Sequence, residues 1–91
     1  MAFALLITPA AARDLHRLRG RTLNRVDAAI LALRHDPRPA GAKLLSRDLH
    51  RIRVGGYRVV YSVRDVSGEV VVARVGHRRE IYLQLRRMGL L

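Results

Sequence analysis

The chain has 91 residues and a mass of 10.3 kDa, room for one small domain over residues 1–91 and no second. Lys and Arg number 18 against 7 Asp and Glu, a formal net charge of +11, and Lys43 is the only lysine among the 18. A hydrophobic content of 49% excludes a disordered basic tail, and the lack of cysteine excludes disulfides and thiolate metal sites.

The charge points to a polyanionic partner. The aromatic residues Phe3, Tyr57, Tyr61 and Tyr82 are too few for a base-stacking platform. No segment approaches the run of about 20 apolar residues that spans a bilayer, so no membrane partner is expected. The opening MAFALLITPAAA imitates a signal peptide, but no cation precedes its apolar run and Pro9 cuts that run short. It reads as a strand followed by a helix, in a chain that stays in the cytoplasm.

Residues 2–7 (AFALLI) form a short apolar run that fits a strand buried on both faces. Thr8 and Pro9 then start a helix, the hydroxyl as cap and the proline where no amide is missed. Over residues 9–19, Ala11, Leu15 and Leu18 recur at helical spacing and Gly20 can end the helix. Over 22–35 the pattern repeats with Leu23, Val26, Ile30 and Leu33, until Asp36-Pro37 stops it. Residues 36–46 hold Pro37, Pro39 and Gly41 and read as a connection. LHRIRV (49–54), YRVVYSVR (57–64) and EVVVARV (69–75) read as strands, with turns at Gly55-Gly56 and at residues 65–68. The order β-α-α-β-β-β gives an α+β domain: a mostly antiparallel sheet, a two-helix hairpin packed on one face and a short C-terminal helical turn.

A two-residue loop at Gly55-Gly56 sets the register. Val54 pairs with Tyr57, Arg53 with Arg58, Ile52 with Val59 and Arg51 with Val60. Cross-strand partners share a face, so Arg51, Arg53 and Arg58 stand on one side and the apolar residues on the other. Like charges placed opposite each other destabilise a sheet, whereas a bound phosphate turns the same repulsion into a clamp. The bland alternative is a solvated face, which also describes Arg13, Arg17, Arg19, Arg86 and Arg87. Arg74 fits either face.

Other chemistries are poorly supplied. His16, His35, His50 and His77 lack metal-ligand spacing, no phosphate-binding loop or nucleophile elbow is present, and acidic residues are too few for two-metal catalysis. Phosphodiester cleavage by this chain would therefore be metal-independent and would need no cofactor. RNA suits such a protein because its ribose 2′-hydroxyl is the nucleophile, leaving orientation, charge stabilisation and proton transfer to the protein. Arginine serves the second need and not the third, since guanidinium stays protonated. Tyr82 and His77 are the candidates for proton transfer, each with a purely packing alternative.

RIRVGGYRVVY (51–61) followed by ARVGHRREIY (73–82), after a β-α-α start and DPRPAGAKLL (36–45), resembles the RelE family within the RelE/ParE toxin superfamily. The resemblance implies a toxin of a type II toxin–antitoxin pair, an endoribonuclease (mRNA interferase) that enters the ribosomal A site and cuts mRNA. It implies a cognate RelB-like antitoxin, with operator DNA reached only through that antitoxin. It places the family's basic pair on Arg51 and Arg53, its post-hairpin arginine on Arg58, its arginine after the last strand on Arg78 (or Arg79 with a one-residue slip), and its closing tyrosine on Tyr82. Arg79 joins Arg51, Arg53 and Arg58 as a phosphate-binding candidate. Two departures stand out: relatives often carry lysine where Arg51 and Arg53 stand, and the segment between Arg78 and Tyr82 is short. The alternatives are a ParE-like inhibitor of DNA gyrase on the same fold and a non-catalytic protein that binds ribosomal RNA through its charge.

Overall fold

Thr8 and Pro9 begin the first helix as their chemistry requires. The Thr8 hydroxyl accepts from the Ala11 amide at 3.1 Å and donates to the Ala73 carbonyl at 2.8 Å, so the cap also ties the helix to a distant strand. In this computed structural model residues 2–91 are described; residue 1 of the expected domain lies outside them. The elements are β1 (Ala4–Ile7), α1 (Pro9–His16), α2 (Gly20–Ala32), β2 (Lys43–Ser46), β3 (Leu49–Val54), β4 (Tyr57–Arg64), β5 (Glu69–His77) and α3 (Ile81–Arg87). The strands form one sheet in the order β1-β5-β4-β3-β2, antiparallel except for the parallel β1–β5 pair. This is the expected α+β class, with one strand more than the sequence suggests.

The sheet is sandwiched. On one face Ile52, Val54, Val59, Tyr61, Val63, Val70, Val72 and Val75 meet Ala11 and Leu18, and Val26, Ile30 and Leu33 of the second helical segment. On the other, α3 sets Ile81 and Leu85 against Leu49 and Val60. A bulge between Val60 and Tyr61 shifts the β4–β5 register, so Ala73 joins the α3 face while Val72 and Val75 both face α1 and α2. Among the described residues no helix is long and apolar enough to cross a membrane.

Four expectations need correction. The first helix stops at His16, not at residue 19, because the Arg19 guanidinium takes the His16 carbonyl at 2.6 Å and the Leu18 carbonyl at 2.9 Å. Gly20 then opens the second helix, at φ 56°, instead of closing the first. β1 is an edge strand, with Leu6 44% and Ile7 37% exposed, where burial on both faces was expected. Residues 36–46 are not all connection, since β2 occupies their end and pairs with β3. The expected C-terminal helical turn is present as the seven-residue α3, which covers the face opposite the helical hairpin.

Candidate RNA-binding site at the hairpin turn

Gly55 takes φ 59°, a conformation glycine enters without a side-chain penalty, and this allows the chain to reverse in two residues. The strands leave it in the register set out above: Arg53 opposite Arg58, Arg51 opposite Val60, Ile52 opposite Val59 and Val54 opposite Tyr57. Arg51, Arg53 and Arg58 therefore share the α3 face of the sheet. Tyr82 lies on that face too, packed against the Leu49, Val60, Ile81 and Leu85 cluster.

Their guanidinium groups are held differently. Arg58 is 9% exposed, and its Nη1 donates to the Gly55 carbonyl at 3.3 Å and the Tyr57 carbonyl at 3.0 Å, which fastens it to the turn. Arg51 is 6% exposed, reaches the Gly41 carbonyl at 3.4 Å, and keeps a buried Nε with no partner. A buried donor of a charged group left unpaired costs stability. Arg53 is exposed. The three share a face, but Arg51 is anchored to Gly41 in the connection before β2 and Arg58 to the hairpin turn.

The end of β5 comes to the same turn. The Arg78 amide donates to the Gly56 carbonyl at 2.9 Å, which carries Arg78 beside the hairpin. His77 pairs with Tyr57 and so belongs to the helix-covered face, away from the arginines; its ring meets the Tyr57 ring edge-on at 5.7 Å. His77 Nδ1 accepts from the Arg79 amide at 3.4 Å, and His77, Arg78 and Arg79 are all exposed.

Asp14 fixes this end of β5. Its carboxylate accepts from Arg74 Nε at 2.8 Å, Arg74 Nη2 at 2.9 Å and the Val75 amide at 2.9 Å. The same pairing raises the Arg74 pKa above the ordinary arginine value. Arg74 thus serves structure, bridging α1 and the strand. Among the described residues only Arg38, with Asp65, is the other arginine in an ion pair.

Two cations near the site escape sequence reasoning. Lys43 pairs with Arg51 across β2 and β3, extending the cationic face by one strand; without β2 in view, no signal places it there. Arg25, on α2, lies against the hairpin turn: a Cβ at Gly55 would sit 3.4 Å from its Nη1. It occupies an outward helical position whose neighbour only the fold reveals.

The chain matches the family model described as the ParE toxin of type II toxin–antitoxin systems (parDE) over residues 5–82. It is 38% identical over 86 residues to Toxin RelG of Mycobacterium tuberculosis, covering 90% of this chain and 98% of that one. Among solved structures it is similar to the RelBE2 toxin–antitoxin complex of M. tuberculosis, with TM-score 0.74 and 33% identity over 86% of this chain and 100% of the other. It is similar as well to the isolated E. coli RelE toxin, with TM-score 0.75 and 26% identity over 98% of this chain and 100% of that one. With a family model spanning most of its length and a RelE-type toxin at this identity, the chain belongs to the RelE/ParE family of type II toxin–antitoxin toxins.

Proposed function

We propose that this toxin is a ribosome-dependent endoribonuclease that cuts mRNA in the A site without a metal ion. The observation that carries this is the convergence on one glycine turn of Arg53, Arg58 and Arg78, cations with no carboxylate partner among the described residues. A folding argument gives no reason to set Arg53 opposite Arg58, and a bound phosphate does.

In the cleavage step, the 2′-oxygen of the nucleotide 5′ to the cut loses its proton and forms a bond to the adjacent phosphorus. The bond from phosphorus to the 5′-oxygen breaks, and that oxygen takes a proton. A 2′,3′-cyclic phosphate and a 5′-hydroxyl result. Arg51, Arg53 and Arg58 hold the phosphate and stabilise the charge that builds on it. Arg78 stands on the leaving side and Arg79 takes a further phosphate contact. Tyr82 orients the base or relays a proton on the arginine face, and His77, on the opposite face at the turn, is the second candidate for proton transfer. A RelB-like antitoxin is the proposed partner in the cell, since the similar solved structures include RelBE complexes. The proposed place of action is the cytoplasm.

The test is cleavage of mRNA on programmed ribosomes. Cutting is expected, and a single 2′-deoxy substitution 5′ to the cut should stop it; undiminished cutting of that substrate would rule out 2′-hydroxyl attack. The match to the ParE family model favours a second reading, inhibition of DNA gyrase. Accumulated gyrase–DNA breaks with intact mRNA would establish it in place of the first.

A further inference from the structure

We infer that the Gly55-Gly56 turn is a saddle for the RNA backbone, with Arg25 binding the phosphate next to the scissile one on the helix side of the sheet. This deepens the proposed nuclease function and rests on it.

The two sides of the turn carry different groups. Arg58 reaches the Gly55 carbonyl from the α3 face. From the helix side, the Arg25 guanidinium lies against Gly55, its Nη1 at 3.4 Å and its Cζ and Nη2 at 3.9 Å from where a Cβ would stand. His77 also comes from the helix side, with Nε2 3.4 Å from the Cβ position of Gly56. Two guanidinium groups and an imidazole thus crowd two residues that have no side chains of their own. Arg25 is exposed and has neither an ion pair nor a hydrogen bond among the described residues, so its donors are available. Guanidinium binds phosphate through a fork of donors, which suits a group already set in place.

Geometry then requires the crossing. The proposed proton-transfer residue His77 and the phosphate-binding Arg58 lie on opposite faces of the sheet, so an RNA strand that meets both must pass over the turn. Glycine at both positions adds no side chain of the turn's own to its path, and a cation it meets on the helix side is Arg25. A phosphate there would lie one nucleotide from the cut, because both guanidinium groups touch the same residue of the turn.

The experiment uses the full-length toxin on programmed ribosomes, with mRNAs carrying a single methylphosphonate at each phosphate flanking the cut. For the wild type, neutralising one flanking phosphate should raise KM about tenfold, the effect of losing one charged hydrogen-bonded contact. Arg25→Ala should raise KM by a similar factor, leave kcat within about twofold, and become insensitive to that one methylphosphonate. Arg25→Lys should recover part of the loss. Arg21→Ala removes an equal charge one helical turn away and should leave KM nearly unchanged, which separates a local contact from net charge. An unchanged KM in Arg25→Ala, or losses that simply add to every methylphosphonate, would overturn the saddle. A wild type that cuts no mRNA would instead defeat the nuclease function itself, so the two failures are distinguishable.

Discussion

Arg58 holds the turn through the Gly55 and Tyr57 carbonyls, and in the proposed function its remaining donors bind a phosphate. Arg58→Ala should therefore lose cleavage by about a hundredfold or more, in line with removing a preorganised donor from a developing oxyanion. It should cost only about 1–2 kcal/mol of stability and leave the domain folded, as checked by thermal melting beside the ribosome assay. Tyr82→Phe keeps the packing against Ile81 and Leu85 and loses only the hydroxyl, so it should slow cleavage less than Arg58→Ala; the reverse order would make Tyr82 the main catalytic group. Tyr61 offers a separate test of the fold. Burial pushes its pKa up to about 12, its hydroxyl donates to the Pro37 carbonyl at 2.8 Å, and its ring stacks on His50. The unfolded tyrosine ionises near pH 10, so the raised value means that its stabilising contribution is complete below about pH 10. It should be lost as pH rises from there towards 12. Tyr61→Phe should abolish that part of the alkaline loss in denaturant titrations and lower stability near neutrality by about 1–3 kcal/mol, since the Pro37 carbonyl loses its donor.

At the scale of elements, α3 depends on a glycine in the strand beneath it. A Cβ at Gly76 would lie 2.9 Å from Ile81 Cδ1 and 3.1 Å from Gln84 Oε1, both on α3. Gly76→Ala should push the helix off the sheet and cost about 1–3 kcal/mol, read as a shifted denaturant midpoint. The β3–β4 hairpin is legible in the sequence because two glycines separate runs of clean alternation, which fixes register and faces together. β2 is not legible, since four residues (KLLS) follow a Pro- and Gly-rich stretch and the turn after them places Arg47 at φ 50°, where no glycine marks it. The edge position of β1 escapes for the opposite reason: its apolar composition matches a buried strand, and only the sheet order leaves Leu6 and Ile7 exposed. The site follows the same division. Arg51, Arg53 and Arg58 can be placed from local pattern, whereas Lys43 and Arg25 reach the site through contacts between elements far apart in the chain, and the bulge in the β4–β5 ladder, invisible to pattern, goes with His77 lying on the other face.

For the whole molecule, a net charge of +11 with only two ion pairs among the described residues means that most cations repel one another uncompensated. Salt screens that repulsion and equally weakens attraction to RNA. The melting temperature of the free toxin should therefore rise as salt increases from low values while binding to ribosomes weakens; a melting temperature that falls over the same range would mean the charges are better compensated than the structure indicates. The parallel pairing of β1 with β5 joins Ala4 to Glu69 and Ile7 to Val72, so the first strand finds its neighbour only after most of the polypeptide has been synthesised. His77, Arg78 and Tyr82 emerge later still. A nascent or prematurely ended chain thus has neither a closed sheet nor the full set of residues proposed for cleavage, so under the proposed function the order of synthesis by itself spares the machine that makes it.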